Sequence, residues 1–415
     1  MPDFIANATA ARREMRKLFP ETPLQKNEYL SAKFDAEIFL KREDLSPVRS
    51  YKIRGAYNAI RKHLEADPTR ANFVCASAGN HAQGVAFVCR HFGVKGVVFM
   101  PVTTPQQKVQ KTRAFGGDAI EIRLLGDYFE DTLKAAQEFC AESGAQFLPP
   151  YDDPEVIEGQ ATVGVEILEQ CPENIDLVIL PIGGGGLASG TLTYLAQMSP
   201  TTAFRFVEPA GGASFKAALL AGEPTTLGKV DSFVDGAAVA RIGTHNFDLL
   251  RDTDPAHVFA APEDRICGTM IDVLNVEGIV LEPAGAMSID VLDDLADEIR
   301  GKRVVSVISG GNFDFERLPE VKERALKFKG LKKYFILRFP QRPGALKEFL
   351  NILGPDDDIT RFEYLKKSAR NFGSVLIGIE ARNPADFPDI CMRMDKAGMA
   401  WQDITDDEAL SQFLV

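Results

Sequence analysis

The sequence predicts an α/β protein of two open, mainly parallel sheets, followed by a small α+β module. Three observations predict it. From about residue 73 to 308, short β-branched runs alternate with longer amphipathic segments, the pattern of βαβ units. The runs are too numerous for one sheet of ordinary width. After about Lys327 the order becomes strand, helix, two strands and helix, which reads as a ferredoxin-like unit.

The strands expected in the main body are 73–75, 96–99, 119–122, 177–180, 204–207 and 304–308, with helix-period segments between most of them. In the tail, 331–339, 359–365 and 375–380 read as strands, and 344–353 and 384–396 as helices. The expected organisation is a body of residues 1–327, with a smaller subdomain of roughly 50–150 nested inside it, and a module at 328–415. Lys+Arg total 47 against 59 for Asp+Glu, a net charge of −12. Such an acidic surface argues against nucleic acid or an anionic membrane as partner. No segment approaches ~20 uninterrupted apolar residues and no signal peptide is evident, so a cytoplasmic protein is expected. Six cysteines and five histidines show no ligand spacing, and no cation ligands are assigned.

Four segments carry candidate chemistry. Around Lys52, the apolar positions Ile53, Ala56, Tyr57, Ile60 and Leu64 lie on one helix face, with Ser50 reading as its N-cap. Lys52 then falls in the first turn, where the helix dipole disfavours a charged ammonium and suits an imine-forming amine; a solvated surface lysine is the ordinary alternative. Ser77-Ala78-Gly79-Asn80-His81 follows a strand, the place where open α/β sheets put ligands, and its amides suit a carboxylate. His81 reads equally as a base or a structural residue.

Gly183, Gly184, Gly185 and Gly186 join a strand to a helix without a β-carbon, so their N–H groups can close on a phosphate. The same loop, with Ala188 and with Glu208 ending the next strand, also fits a dinucleotide fingerprint, which keeps an NAD-dependent oxidoreductase open as a rival. Ser309-Gly310-Gly311-Asn312 follows the last strand of the body; a serine there can donate a hydrogen bond to a neutral ring nitrogen.

In this order, Ser50-Tyr51-Lys52-Ile53-Arg54-Gly55-Ala56, Ser77 to His81, Gly183 to Gly186 and Ser309 to Asn312 resemble the tryptophan-synthase-β-like, fold-type II pyridoxal-phosphate enzymes. Within that superfamily the chain resembles the threonine dehydratases over essentially its whole length, with further similar segments at 157–162, 233–239 and Leu281-Glu282-Pro283-Ala284-Gly285-Ala286. The resemblance implies pyridoxal 5'-phosphate as cofactor and L-threonine as substrate. It makes Lys52 the Schiff-base lysine, Asn80 the partner of the cofactor's phenolic oxygen, Gly183 to Gly186 the phosphate cradle and Ser309 the partner of the ring nitrogen. Tyr51 and Gly236 would flank the ring, and Ser77, Ala78, Gly79, Asn80 and His81 would hold the substrate carboxylate. The tail resembles the ACT-like regulatory region of biosynthetic threonine dehydratases, which implies isoleucine and valine as effectors and a homo-oligomer, dimer or tetramer. Longer members carry two such modules, and this chain has room for one. Serine dehydratase, serine racemase and threonine synthase are the neighbouring alternatives, and an amino-acid sensor with an inactive body is a third class.

Overall fold

The computed structural model describes residues 3–171, 173–365, 371–407 and 410. The strands are β1 (Leu24–Lys26), β2 (Glu37–Arg42), β3 (Asn72–Ala76), β4 (Lys95–Met100), β5 (Ile120–Leu124), β6 (Gln146–Phe147), β7 (Leu177–Pro181), β8 (Ala203–Pro209), β9 (Val258–Ala261), β10 (Arg303–Ile308), β11 (Lys332–Pro340), β12 (Asp358–Leu365), β13 (Phe372–Glu380) and β14 (Ala400–Asp403). The chain divides into two compact units, Met1–Glu263 with Glu277–Asp314, and Asp264–Val276 with Phe315–Val415.

The first unit holds two sheets. One has the order β1-β2-β10-β7-β8-β9, with β1 antiparallel to β2 and the other neighbours parallel. The other is parallel throughout, in the order β5-β4-β3-β6. Every residue of β7 is buried, as expected for a parallel strand covered on both faces. All six strands expected in the body form, as β3, β4, β5, β7, β8 and β10. Strand β2 was not among the expected strands, and its charged residues Lys41 and Arg42 mask a buried strand. Both are buried.

Lys41 belongs to an ionic network centred on Arg54, two residues after Lys52. Arg54 donates from Nε and Nη2 to Glu43 at 2.7 and 2.8 Å, and from Nη1 and Nη2 to Glu166 at 2.9 and 2.7 Å. Lys41 Nζ donates to Glu166 Oε2 at 2.6 Å. Burial raises the Glu166 carboxyl, but Arg54 and Lys41 outweigh it and hold the group well below the usual carboxylate range. The network ties the Lys52–Ala66 helix to β2 and to the Pro154–Gln170 helix. Arg54→Met should therefore destabilise the protein by about 3–5 kcal/mol, because two buried carboxylates lose their shared partner. Urea unfolding checks this, and a loss below about 1 kcal/mol would show that the network contributes little.

In the second unit, β12-β13-β11-β14 form an antiparallel sheet. Phe335, Leu337 and Phe339 of β11 and Val375, Ile377 and Ile379 of β13 alternate into one core. The Asp386–Lys396 helix covers it with Phe387, Ile390 and Met394, spaced along one helical face. The unexpected strand β14 completes the ferredoxin-like pattern. Among the described residues, no helix is long and apolar enough to cross a membrane.

Candidate active site

A 3-10 turn (Glu43–Leu45) follows β2, and the chain then pairs with the loop after β10 before entering the Lys52–Ala66 helix. Ser50 and Gly310 form an antiparallel bridge, Tyr51 N donates to Ser309 O at 3.1 Å and Gly311 N to Arg49 O at 2.9 Å. Arg49 adopts φ 58° on the way. This pairing corrects the expected cap. Tyr51, not Ser50, occupies the N-cap position, without a side-chain cap bond, because the Ser50 backbone is committed to the bridge and to Ser46 Oγ.

Lys52 opens the helix, and its Nζ donates to Pro150 O at 2.7 Å. The rings of Tyr51 and Tyr151 lie 5.3 and 5.8 Å from Nζ. Burial pushes the amine down to about 8 against the opposing pull of Glu282. Removal from water, rather than the helix dipole alone, thus accounts for the readiness of this amine to lose its proton.

The Ser77 to His81 loop leaves β3, and Asn80 starts the Asn80–Phe92 helix. A β-carbon at Gly84 would stand 3.2 Å from Ile53 N, so a glycine lets this helix press against the start of the Lys52 helix. Gly79 N donates to Ser77 Oγ at 3.2 Å, and a β-carbon at Gly79 would meet nothing within 4 Å. The loop borders open space. Asn80 Nδ2 donates to Glu282 Oε1 at 2.7 Å, and Asn80 Oδ1 accepts from Asn312 Nδ2 at 2.7 Å. His81 is turned elsewhere: its Nε2 meets Leu148 O at 2.9 Å and burial pushes its imidazole down to about 3. That side chain is structural and does not offer a base.

The glycine loop runs from β7 into the Gly186–Met198 helix, with Gly185 at φ 97°. The Gly183, Gly184 and Gly185 amides donate to no backbone or side-chain acceptor among the described residues. Asn246 Nδ2 holds the loop by donating to Gly184 O at 2.8 Å, and Ser189 Oγ donates to Asn246 Oδ1 at 2.7 Å. The glycines answer a second demand besides phosphate access. A β-carbon at Gly184 would lie 2.3 Å from the Tyr151 ring, and one at Gly183 2.7 Å from Ala237 O.

Strand β10 lies between β2 and β7, which sets the Ser309 loop beside the glycine loop. Ser309 is buried, and its hydroxyl has no partner among the described residues. Gly236 is exposed and sits close to Glu282, whose Oε1 would be 3.7 Å from an added β-carbon. Lys52, Asn80, Ser309 and Gly236 are thus joined through the Ser50–Gly310 bridge, Asn312 and Glu282, while Tyr151 connects Lys52 with the glycine loop. Sequence reading missed Tyr151, Asn246 and Glu282 as site residues. Only Glu282 carried a signal, as the acid placed before the proline that starts the Pro283–Asp290 helix.

Glu208, the acid that kept a dinucleotide site open, is buried and accepts from Phe215 N and Lys216 N at 2.7 and 3.0 Å. It caps the Ser214–Ala221 helix and is not offered to a ribose. The donor set instead fits pyridoxal phosphate: an amine that deprotonates easily, three unengaged amides at a helix start and an unengaged hydroxyl.

The comparisons agree with that class. The model of a family described as pyridoxal-phosphate-dependent enzyme matches residues 16–310, and that of the C-terminal regulatory domain of threonine dehydratase matches residues 323–414. The chain is 47% identical to the biosynthetic L-threonine dehydratase of Bacillus subtilis, over 98% of this chain and 96% of that one. It is 44% identical to the one from Halalkalibacterium halodurans, over 99% of each. The processed form of threonine deaminase isoform 2 from Solanum lycopersicum superposes with a TM-score of 0.73 at 36% identity, covering 78% of this chain and 87% of that one. The chain belongs to the biosynthetic threonine dehydratases, within the pyridoxal-phosphate-dependent enzyme family.

Proposed function

We propose that the protein eliminates water from L-threonine and that the released enamine tautomerises and takes up water to give 2-oxobutanoate and ammonia, the first committed step toward isoleucine, with the protein acting in the cytoplasm as a homo-oligomer, dimer or tetramer. The observation that carries this reading is the buried Lys52 amine, pushed down to about 8 and set beside Tyr151, which also lies against the glycine loop. Lys52 would anchor the cofactor, the Gly183 to Gly186 loop its phosphate, Asn80 its phenolic oxygen and Ser309 its ring nitrogen, with Tyr51 and Gly236 on the two faces. When bound, the cofactor supplies an electron sink for the charge left at the substrate α-carbon. Lys52 in its neutral form takes the α-proton. The amides of the Ser77 to His81 loop hold the substrate carboxylate. Ser309 donates a hydrogen bond without transferring a full proton, which restrains charge delocalisation and favours elimination over racemisation.

Comparing L-threonine, L-serine and O-phosphohomoserine as substrates of the purified holoenzyme tests the assignment. Turnover is expected to be fastest with L-threonine, with equal amounts of ketoacid and ammonia; turnover of O-phosphohomoserine alone would make the protein a threonine synthase instead.

We place the boundary between catalytic and regulatory parts near residue 327, with one ACT-like module beyond it. The two family models put the break a little earlier, leaving 311–322 between them, and one regulatory module follows in that match. Isoleucine is expected to bind the module and favour the less active state, with valine opposing it. Coupling of ~1–3 kcal/mol would weaken threonine binding by roughly 5- to 150-fold, with a reciprocal effect on isoleucine. A chain ending near residue 327 should keep turnover and lose the response. Threonine saturation curves of both forms, with and without isoleucine, check this; a full chain indifferent to isoleucine would remove the regulatory role.

A further inference from the structure

We infer that Glu282 is a positioning residue for Asn80, whose amide it orients so that one N–H faces the cofactor space. This rests on the reading above, in which Asn80 meets the cofactor. Glu282 is only 5% exposed. It occupies the N-cap position of the Pro283–Asp290 helix, yet its side chain makes no cap bond. The carboxylate is turned instead toward the site, where it accepts from Asn80 Nδ2 at 2.7 Å, with the Asn312 backbone N–H among the groups that lower its pKa.

The orientation of Asn80 follows from a chain of donors and acceptors. Val48 O accepts from Asn312 Nδ2 at 2.7 Å, which obliges Asn312 to present its amide nitrogen. The same nitrogen donates to Asn80 Oδ1, so Asn80 must turn its own nitrogen toward Glu282. Flipping Asn80 would set nitrogen against nitrogen at one end and oxygen against a carboxylate at the other. One of the two Nδ2 hydrogens goes to Glu282, and the second has no acceptor among the described residues.

One glycine of the site, Gly310, makes room for this carboxylate, and Gly236 lies in ordinary contact distance of it. A β-carbon at Gly310 would lie 2.2 Å from Glu282 Oε1, and one at Gly236 3.7 Å from it. The charged and titratable groups around it come from several elements. Asp235 precedes Gly236 and is ion-paired with Lys108 of the Gln106–Gly116 helix. Lys111 lies on that helix too, and Lys52 and Tyr51 lie at the start of the Lys52 helix. Burial raises the Glu282 carboxyl to about 7, and Asp235 adds to the rise, while Asn80, Lys108 and the Asn312 N–H pull it down. Above about pH 7 Glu282 is therefore an acceptor that fixes Asn80. Below it, a carboxyl O–H can donate, the preference between the two Asn80 orientations weakens, and cofactor affinity should fall.

The test uses the purified holoenzyme for absorbance and activity, and the same protein freed of cofactor for titration with pyridoxal phosphate across pH 7. The unsubstituted protein should lose affinity as pH falls through about 7. Glu282→Gln should remove the inflection near 7, leaving the rise near 8 that Lys52 gives, and weaken cofactor binding by about tenfold at high pH, the loss expected for one charge-assisted hydrogen bond. In an Asn80→Ala background, Glu282→Gln should add almost nothing, because a residue that acts through Asn80 cannot act without it. An inflection near 7 that persists in Glu282→Gln, apart from the rise near 8 that Lys52 gives, or an undiminished effect in the Asn80→Ala background, would overturn the inference and leave the cofactor assignment standing. An unsubstituted protein that binds no pyridoxal phosphate would overturn both. Should Glu282→Gln not fold, Asn80→Ala alone decides: the inflection near 7 is expected to vanish with Asn80, and its persistence would overturn the role.

Discussion

Lys52→Ala should abolish the visible absorbance of bound cofactor and lower threonine turnover by more than about 10³-fold, since it removes both the anchoring amine and the base. The substitution sits at the first residue of the helix, so the fold should survive. A far-ultraviolet circular dichroism spectrum and a ketoacid assay read the two effects separately. The wild-type amine carries a further expectation. Its proton is held less firmly than in an ordinary lysine, with the group pushed down to about 8, and only the neutral form attacks an aldehyde. Cofactor uptake by the cofactor-free protein should accordingly quicken as pH rises through about 8 and level off above it. Uptake that instead keeps rising toward the ordinary lysine range would show that burial of Lys52 does not tune it.

Gly184→Val should weaken pyridoxal phosphate binding by more than about 100-fold. The first atom of the new side chain would lie 2.3 Å from the Tyr151 ring, so either the ring or the loop must move, and overpacking of this kind commonly costs about 1–3 kcal/mol before any ligand is lost. Moving the loop would also break the Asn246 bond to Gly184 O and disperse the three unengaged amides. Gly184→Ala should show a smaller loss of the same kind. Titration of the folded variants with pyridoxal phosphate measures both. Unchanged affinity in a folded Gly184→Val protein would remove the phosphate from this loop, and binding of NADH would revive the dinucleotide reading.

What the sequence revealed and what it hid follow from the range of the interactions. Lys52, Asn80, the glycine loop and Ser309 were legible because each stands at the junction of a hydrophobic strand or a small-residue loop with a helix, a local pattern. Their surroundings were not. Asn80 meets Glu282 and Asn312 from 202 and 232 positions away, and no local pattern reports such pairings. The same holds for Asn246, an amide within an ordinary short helix, which holds the glycine loop from 62 positions away. Strand β2 was masked by Lys41 and Arg42, whose charges Glu166 and Asp44 receive. Ser50 illustrates the converse. Its residue type suits a helix cap, but a bridge to Gly310 took its backbone and passed the position to Tyr51. In the tail, alternating apolar residues exposed β11 and β13, whereas Ala400-Trp401-Gln402-Asp403 offered too short a pattern to announce β14.

The most direct measurement of the central claim is borohydride reduction of the holoenzyme followed by peptide mapping, because reduction makes permanent the carbon–nitrogen bond between cofactor and lysine. The predicted result is one pyridoxyl group per chain on the peptide that contains Lys52, with ketoacid formation from L-threonine lost in proportion to labelling. A label on any other lysine, with turnover of L-threonine intact, would contradict the account.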